Sequence, residues 1–240
     1  MTATAAAGPS AAPCIVLAGG LGTRLRGTLG DVPKCLAPVG ARSFLDIQLN
    51  ALLAAGVDEV VLSLGHQAEQ VVAAVKAGPA RRSLRWVVEP SLLGTGGAIA
   101  HVMDVLGLDE ALVANGDTYL DGDISAMLVP LDIGGGEFFR MALVQVPDRT
   151  RFGGVDVDGH GRVRGFLEKG RHDGGAINAG LYRLARQALP AARNGAYSLE
   201  AEVLPGLVRA GAVRAVSVAG SFTDIGVPED YRRFCAEHAA

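Results

Sequence analysis

Residues 17–40 read LAGGLGTRLRGTLGDVPKCLAPVG, with six glycines, two prolines, two arginines and one lysine directly after the apolar run Cys14-Ile15-Val16-Leu17. A short aliphatic run closed by glycines predicts a buried strand that ends in a turn. Backbone N–H groups of such a turn can surround a phosphate, although an ordinary strand-to-helix connection has the same composition. Two familiar phosphate loops fail on residues. Gly20-Leu21-Gly22-Thr23-Arg24-Leu25 lacks the third glycine of the dinucleotide fingerprint, and Gly65-His66 after the second expected strand supplies no acid for a ribose. The Gly-Lys-Ser/Thr of a P-loop is also missing. What remains is a glycine turn with Arg24 inside it and Lys34 after Pro33. Backbone amides, one guanidinium and one ammonium suit a triphosphate, because arginine grips phosphate oxygens in pairs and lysine adds a compact charge.

Beyond this stretch the first half alternates. Strands are expected at Val57–Leu64, Leu84–Val88 and Ala111–Ala114, with helices at Phe44–Ala55, Glu69–Ala77 (stopped by Gly78-Pro79) and Ala98–Leu106. Short apolar strands separated by amphipathic helices imply right-handed crossovers, and so an α/β fold with a Rossmann-like, doubly wound, mainly parallel sheet. Ligands of such sheets lie beyond the carboxyl ends of the strands, where the opening loop begins. The second half differs. Strands are expected at Phe138–Val146, Ile177–Leu184 and Val213–Val218, a hairpin at Val155–Val157 and Val163–Leu167 around DGHG, and helices at Leu199–Val208 and Val227–Glu237. One domain over 13–240 is expected, with halves at about 13–130 and about 131–240 that differ in character, behind a disordered tail at 1–12.

Composition narrows the function. The chain has 240 residues, 49% apolar, and a net charge of −3, which argues against a nucleic-acid-binding protein with a broad basic face. No apolar run approaches the roughly 18 residues of a membrane span. The first twelve residues lack lysine, arginine and an apolar core, and make a poor secretory signal. Cys14, Cys35 and Cys235 are far apart and odd in number, which favours a reducing cytoplasm. The sequence leaves homo-oligomerisation open.

Several polar residues stand at the ends of expected strands. Asp117 and Asp224 each read as a capping or turn aspartate. As a pair they read as carboxylates for one Mg²⁺, which takes one or two protein carboxylates and completes its shell with phosphates and water. Glu168-Lys169 is a solvated charge pair or a substrate contact. Asn178 interrupts an apolar strand and needs partners, a sugar hydroxyl being one candidate. Gly153 and Gly154 would let the backbone approach a sugar closely. Glu89 is a surface glutamate or an acceptor for the N1–H and exocyclic amine of guanine.

L-A-G-G-x-G-T-R-L followed by D-x-P-K-x-L-x-P-V resembles the signature of the sugar-1-phosphate nucleotidyltransferases, which make nucleotide sugars from a nucleoside triphosphate and a sugar 1-phosphate. The resemblance continues in order through Glu89-Pro90, Leu93-Gly94-Thr95-Gly96-Gly97-Ala98, Asn115-Gly116-Asp117, Phe152-Gly153-Gly154-Val155, Glu168-Lys169, Asn178-Ala179-Gly180-Leu181-Tyr182 and Thr223-Asp224-Ile225-Gly226. It implies the nucleotide-diphospho-sugar transferase fold in an enzyme that uses Mg²⁺, with a nucleotide-binding half at about 13–130 and a sugar-binding half at about 131–240. Carried onto this chain, it puts the nucleotide on Leu17, Ala18, Gly19, Gly20, Gly22, Thr23, Glu89, Gly94 and Thr95. It puts the sugar phosphate on Asn115, Gly153, Glu168, Lys169 and Asn178, the metal on Asp117 and Asp224, and catalytic charge on Arg24, Lys34 and Lys169. The base loop LGTGGA is closer to the L-G-T-A-G-A of guanylyl-transferring members than to the thymidylyl form, so the expected nucleotide is GTP. Within the family the chain is most similar to short guanylyltransferases acting on D-glycero-α-D-manno-heptose 1-phosphate. The alternatives are a GTP- or UTP-dependent transferase for mannose, glucose or N-acetylmuramate 1-phosphate, and a non-catalytic nucleotide-sugar sensor.

Overall fold

A computed structural model of the chain describes residues 12–22, 25–77, 84–170, 172–191 and 195–239. Thr23, Arg24, residues 1–11 of the expected tail over 1–12 and the helix stop at Gly78-Pro79 lie outside the described residues.

Strand β1 (Cys14–Leu17) is followed by α1 (Arg26–Leu29), a 3₁₀ turn at Lys34–Leu36, a small hairpin of β2 (Pro38–Val39) and β3 (Arg42–Ser43), and α2 (Phe44–Ala54). Then come β4 (Val60–Leu64), α3 (Ala68–Ala77), β5 (Leu84–Val88), α4 (Gly94–Leu106), β6 (Glu110–Asn115), β7 (Thr118–Gly122) and α5 (Ser125–Leu128). The second half holds β8 (Phe139–Val146), β9 (Val155–Val157), β10 (Val163–Phe166), β11 (Gly175–Ala185), α6 (Leu204–Arg209), β12 (Val213–Ser217), β13 (Gly220–Asp224) and α7 (Pro228–His238). Seven strands form the central sheet in the order β12-β8-β11-β6-β1-β4-β5. The pairs β1/β4, β1/β6, β4/β5 and β8/β12 are parallel, and β11 runs antiparallel to both β6 and β8. The sheet is therefore mixed and mainly parallel, as the alternation of the first half implies.

Strand alternation builds two cores. Cys14 and Val16 with Val60, Leu62 and Leu64 meet Leu45 and Leu49 of α2 and Val71 and Val75 of α3 on one face. Ile15 and Val61 meet Ile99, Val102 and Met103 of α4 and Leu204 of α6 on the other. Burying side chains of this size contributes roughly 1.5–3 kcal/mol apiece. A third cluster joins Leu25, Val39, Phe44, Ile225 and Phe234, and so ties the opening loop to the C-terminal helix.

Helix α2 carries a capping box. The Asp46 backbone N–H donates to Ser43 Oγ at 3.1 Å, and the Ser43 N–H donates to Asp46 Oδ2 at 3.0 Å. Loss of an N-cap hydroxyl typically costs about 1 kcal/mol. Ser43→Ala is expected to lose that much in denaturant unfolding without a change in catalytic rate, since Ser43 is outside the cleft walls.

The structure departs from expectation most clearly in three places. Helix α4 starts at Gly94, four residues before Ala98, although three of its first four residues are glycines. The segment expected as one helix from Leu199 opens as a π-helical turn, Leu199–Val203, before α6. Strands β7 and β13 pair antiparallel, with Thr118 opposite Asp224, and neither strand is evident in the sequence.

Candidate active site

The chain runs from β1 outward to β4 and β5 and then returns to place β6 on the other side of β1. The switch point of the sheet is thus between β1 and β6, where α/β sheets bind ligands. A cleft of about 510 Å³ lies there. Its walls include Leu17, Ala18, Gly19, Gly20 and Gly22 of the opening loop, Lys34, Glu89, Gly94, Thr95, Asn115 and Asp117. The cleft thus brings together most of the sequence-identified residues around one space. Thr23 and Arg24 lie outside the described residues.

Lys34 opens the 3₁₀ turn. Pro33 precedes it with φ −52°, Leu36 N–H donates to Pro33 O at 2.8 Å, and Cys35 is buried beneath. These anchors set the lysine backbone, and Lys34 Nζ donates to Asp117 Oδ2 at 2.6 Å. Burial pushes the Cys35 thiol up to about 12, so it is no nucleophile near neutral pH. The Asp117 segment is tethered from below by a residue that sequence reasoning missed. Gln48 of α2 is buried, and its amide donates to Asn115 O and Thr118 O, both at 2.7 Å. The signal was a glutamine between Ile47 and Leu49, on the buried side of α2.

Asp117 and Asp224 come together across the β7/β13 ribbon. Thr118 pairs with Asp224, and Ile225 N–H donates to Asp117 O at 3.0 Å. Asp224 Oδ1 accepts from Gly226 N–H at 2.6 Å. No group of three or more His, Cys, Asp or Glu side chains able to hold a metal occurs among the described residues. Two hard carboxylates, one of them already gripping an ammonium, fit a divalent ion that draws its other ligands from phosphates and water.

Glu89 leaves β5 into the cleft. Its Oε2 accepts from Leu93 N–H at 3.0 Å, and burial raises its carboxyl above the ordinary glutamate range, against the lowering effect of that hydrogen bond. Gly65 gives Glu89 its place: a Cβ there would be 2.1 Å from Glu89 Oε1. Beside it, the start of α4 is bound to a segment from the second half. Tyr197 N–H donates to Leu93 O at 2.9 Å, Gly96 N–H to Tyr197 O at 3.1 Å, and Leu199 N–H to Thr95 Oγ at 2.9 Å. Thr95 Oγ in turn donates to Glu200 Oε2 at 2.7 Å. Glu200 lines the cleft and was not singled out in the sequence, although it lies within the stretch SLEAEVLP.

Asp224 and the remaining sequence-identified residues of the described chain are outside the cleft walls. Asn178 Nδ2 donates to the Tyr182 hydroxyl at 2.7 Å, and its Oδ1 accepts from Gly180 N–H at 2.9 Å. Its amide is therefore supplied with partners by its own strand. Gly180 has φ +68°, and a Cβ there would press to 2.8 Å on Asn115 Nδ2, so glycine is required both by conformation and by space. Gly153 and Gly154 run beside the 167–169 segment, with Leu167 N–H donating to Gly154 O at 2.8 Å. Glu168 and Lys169 follow and are exposed.

The profile of the nucleotidyl transferase family matches residues 13–239. The D-glycero-α-D-manno-heptose 1-phosphate guanylyltransferase of Campylobacter jejuni is 35% identical over 221 residues, covering 92% of this chain and 97% of that protein. The mannose-1-phosphate guanylyltransferase of Mycobacterium tuberculosis is also 35% identical, over 93% of this chain but only 63% of its own length. The crystal structure of HddC from Yersinia pseudotuberculosis complexed with GMP-PN superposes with a TM-score of 0.82 at 32% identity, covering 94% of this chain and 99% of that one. No described helix is long and apolar enough to cross a membrane. A profile match across nearly the whole chain, with a relative above 30% identity covered almost end to end, leaves one assignment: this chain belongs to the nucleotidyl transferase family.

Proposed function

We propose that the chain transfers a guanylyl group from GTP to D-glycero-α-D-manno-heptose 1-phosphate, giving the GDP-sugar and pyrophosphate. The observation that supports this best is the position of Lys34 and Asp117 in one cleft at the sheet's switch point, facing the Glu89–Thr95 segment. The first half of the sheet is assigned the nucleotide and the second half the sugar.

A sugar phosphate is largely dianionic near neutral pH, its second pKa being about 6, and needs no general base. Its oxygen attacks the α-phosphorus in line, one P–O bond forms, the bond to the β-phosphate oxygen breaks, and pyrophosphate leaves. The chain supplies placement and charge. Backbone N–H groups of the Gly19–Gly22 turn, the Lys34 ammonium and Arg24 are assigned to the triphosphate. Asn115, Gly153, Glu168, Lys169 and Asn178 are assigned to the sugar 1-phosphate, Lys169 with its phosphate. Members of the family commonly use a divalent metal. We assign Mg²⁺ to Asp117 and Asp224, where it would neutralise charge on the phosphates.

Base choice is assigned to Glu89. Guanine presents two adjacent donors to a carboxylate, whereas uracil presents one donor flanked by acceptors. GTP is expected to outcompete UTP by at least about tenfold, on the order of 1.4 kcal/mol. Glu89→Gln should narrow that ratio. A protonated carboxyl cannot accept at both oxygens. Because the Glu89 pKa is raised, the preference should fade with falling pH earlier than an ordinary glutamate would dictate. Pyrophosphate release from GTP and UTP against a panel of heptose, mannose, glucose and N-acetylmuramate 1-phosphates tests the whole assignment. Preference for UTP or for another sugar moves the chain within its family, and release with none of them marks a sensor.

A further inference from the structure

We propose that Glu200 is a sugar-reading residue of this cleft, accepting hydroxyl groups of the sugar 1-phosphate through its unpaired carboxylate oxygen; this rests on the cleft taking a sugar 1-phosphate, as argued above. Among the described residues, Glu200 is the only side chain that the second half contributes to the cleft walls, since Gly226 has none. It stands on the Leu199–Val203 π-helical turn, a conformation that recurs at functional sites.

One oxygen is fully engaged. Glu200 Oε2 accepts from Thr95 Oγ at 2.7 Å and from Ser198 Oγ at 3.0 Å. Those two hydroxyls in turn accept backbone N–H groups, from Leu199 at 2.9 Å and from Ala201 at 3.1 Å. Each hydroxyl hydrogen therefore points at the carboxylate, which holds Glu200 as an acceptor in a fixed rotamer. Glu200 Oε1 has no hydrogen-bond donor among the described residues.

Chemistry then limits what Oε1 can meet. A carboxylate repels the triphosphate and the sugar phosphate, so its ligand is a neutral donor. It is not part of a three-carboxylate cation site with Asp117 and Asp224. The base has its own carboxylate in Glu89. Glu200 reaches the cleft from the second half of the chain, the half assigned to the sugar, and a sugar offers neutral O–H donors in adjacent pairs.

The test compares wild type with Glu200→Gln, whose amide oxygen preserves the contacts to Thr95 and Ser198, and with Glu200→Asp, which keeps the charge and withdraws it by one methylene. Hydrogen bonds to charged groups are worth enough for a loss of about ten- to a hundredfold in kcat/KM for the sugar 1-phosphate. Binding of a non-hydrolysable guanosine triphosphate analogue should stay within about twofold, an outcome that a merely structural clamp on α4 would not give. Monodeoxy sugar 1-phosphates should include one that costs wild type a similar factor and costs the variants little more. Weakened nucleotide binding with an unchanged sugar KM would assign Glu200 to the base or to the clamp and overturn the proposal. Unchanged kinetics in both variants would overturn it while leaving the transferase assignment standing. If wild type releases pyrophosphate with no sugar 1-phosphate at all, the transferase assignment fails first.

Discussion

Asp117→Asn is expected to lower kcat by on the order of a thousandfold or more, equivalent to roughly 4 kcal/mol of transition-state stabilisation. Asparagine keeps the size of the side chain and one acceptor oxygen for Lys34, but it removes the charge that would hold a divalent cation. The Lys34–Asp117 pair retains 14% and 35% side-chain exposure, and asparagine still offers the ammonium an acceptor, so the fold should tolerate the change. Thermal melting should then report a folded protein. Equilibrium titration with Mn²⁺ separates the metal role from a purely electrostatic one: wild type should bind and Asp117→Asn should not. Asp224→Asn should behave alike. The two aspartates are joined across the β7/β13 ribbon, so either variant leaves only one carboxylate there. Asp117→Asn with near-normal turnover and unaltered Mn²⁺ binding would remove that residue from the catalytic centre.

How much of this was legible beforehand depends on whether the deciding contact is local. Cys14–Leu17, Leu84–Val88 and Val155–Val157 are strands with the bounds read from the sequence, because a short apolar run between turn residues carries its own signal. Strands β7 and β13 were not visible. Their residues are mostly half-exposed, and their pairing joins segments about a hundred positions apart. The early start of α4 has the same origin. Glycines in a first turn argue against a helix on propensity, and here Gly96 N–H donates to Tyr197 O and Leu199 N–H donates to Thr95 Oγ, both partners lying on a distant segment. The site divides in the same way. The glycine loop, Lys34, Asp117 and Asp224 announce themselves as charges and glycines at strand ends. Gln48 and Glu200 act through partners that only the folded chain brings near. Asn178 shows the opposite case. Its demand for partners was legible, but the partners are Tyr182 and Gly180 of the same strand.

Lys34→Ala is expected to lose about a hundred- to a thousandfold in kcat, or about 2.7–4 kcal/mol, with a modest change in the KM for GTP. A charge that acts mainly on phosphate oxygens in the transition state alters kcat more than KM. The ion pair with Asp117 sharpens the expectation. Lys34 Nζ sits 2.6 Å from Asp117 Oδ2, where its ammonium competes with any other cation for that carboxylate. Removing it should leave Mn²⁺ affinity unchanged or raised, whereas Asp117→Asn abolishes binding. The two variants thus share a catalytic defect and part on metal binding, which no general loss of folding would reproduce. Lys34→Arg makes a further distinction: arginine keeps the charge but replaces a compact ammonium with a planar fork. It should recover part of the rate if charge is what matters, and none if the short contact to Asp117 is required. Lys34→Ala with wild-type kcat would reduce the loop to a strand-to-helix connection and Lys34 to a structural partner of Asp117.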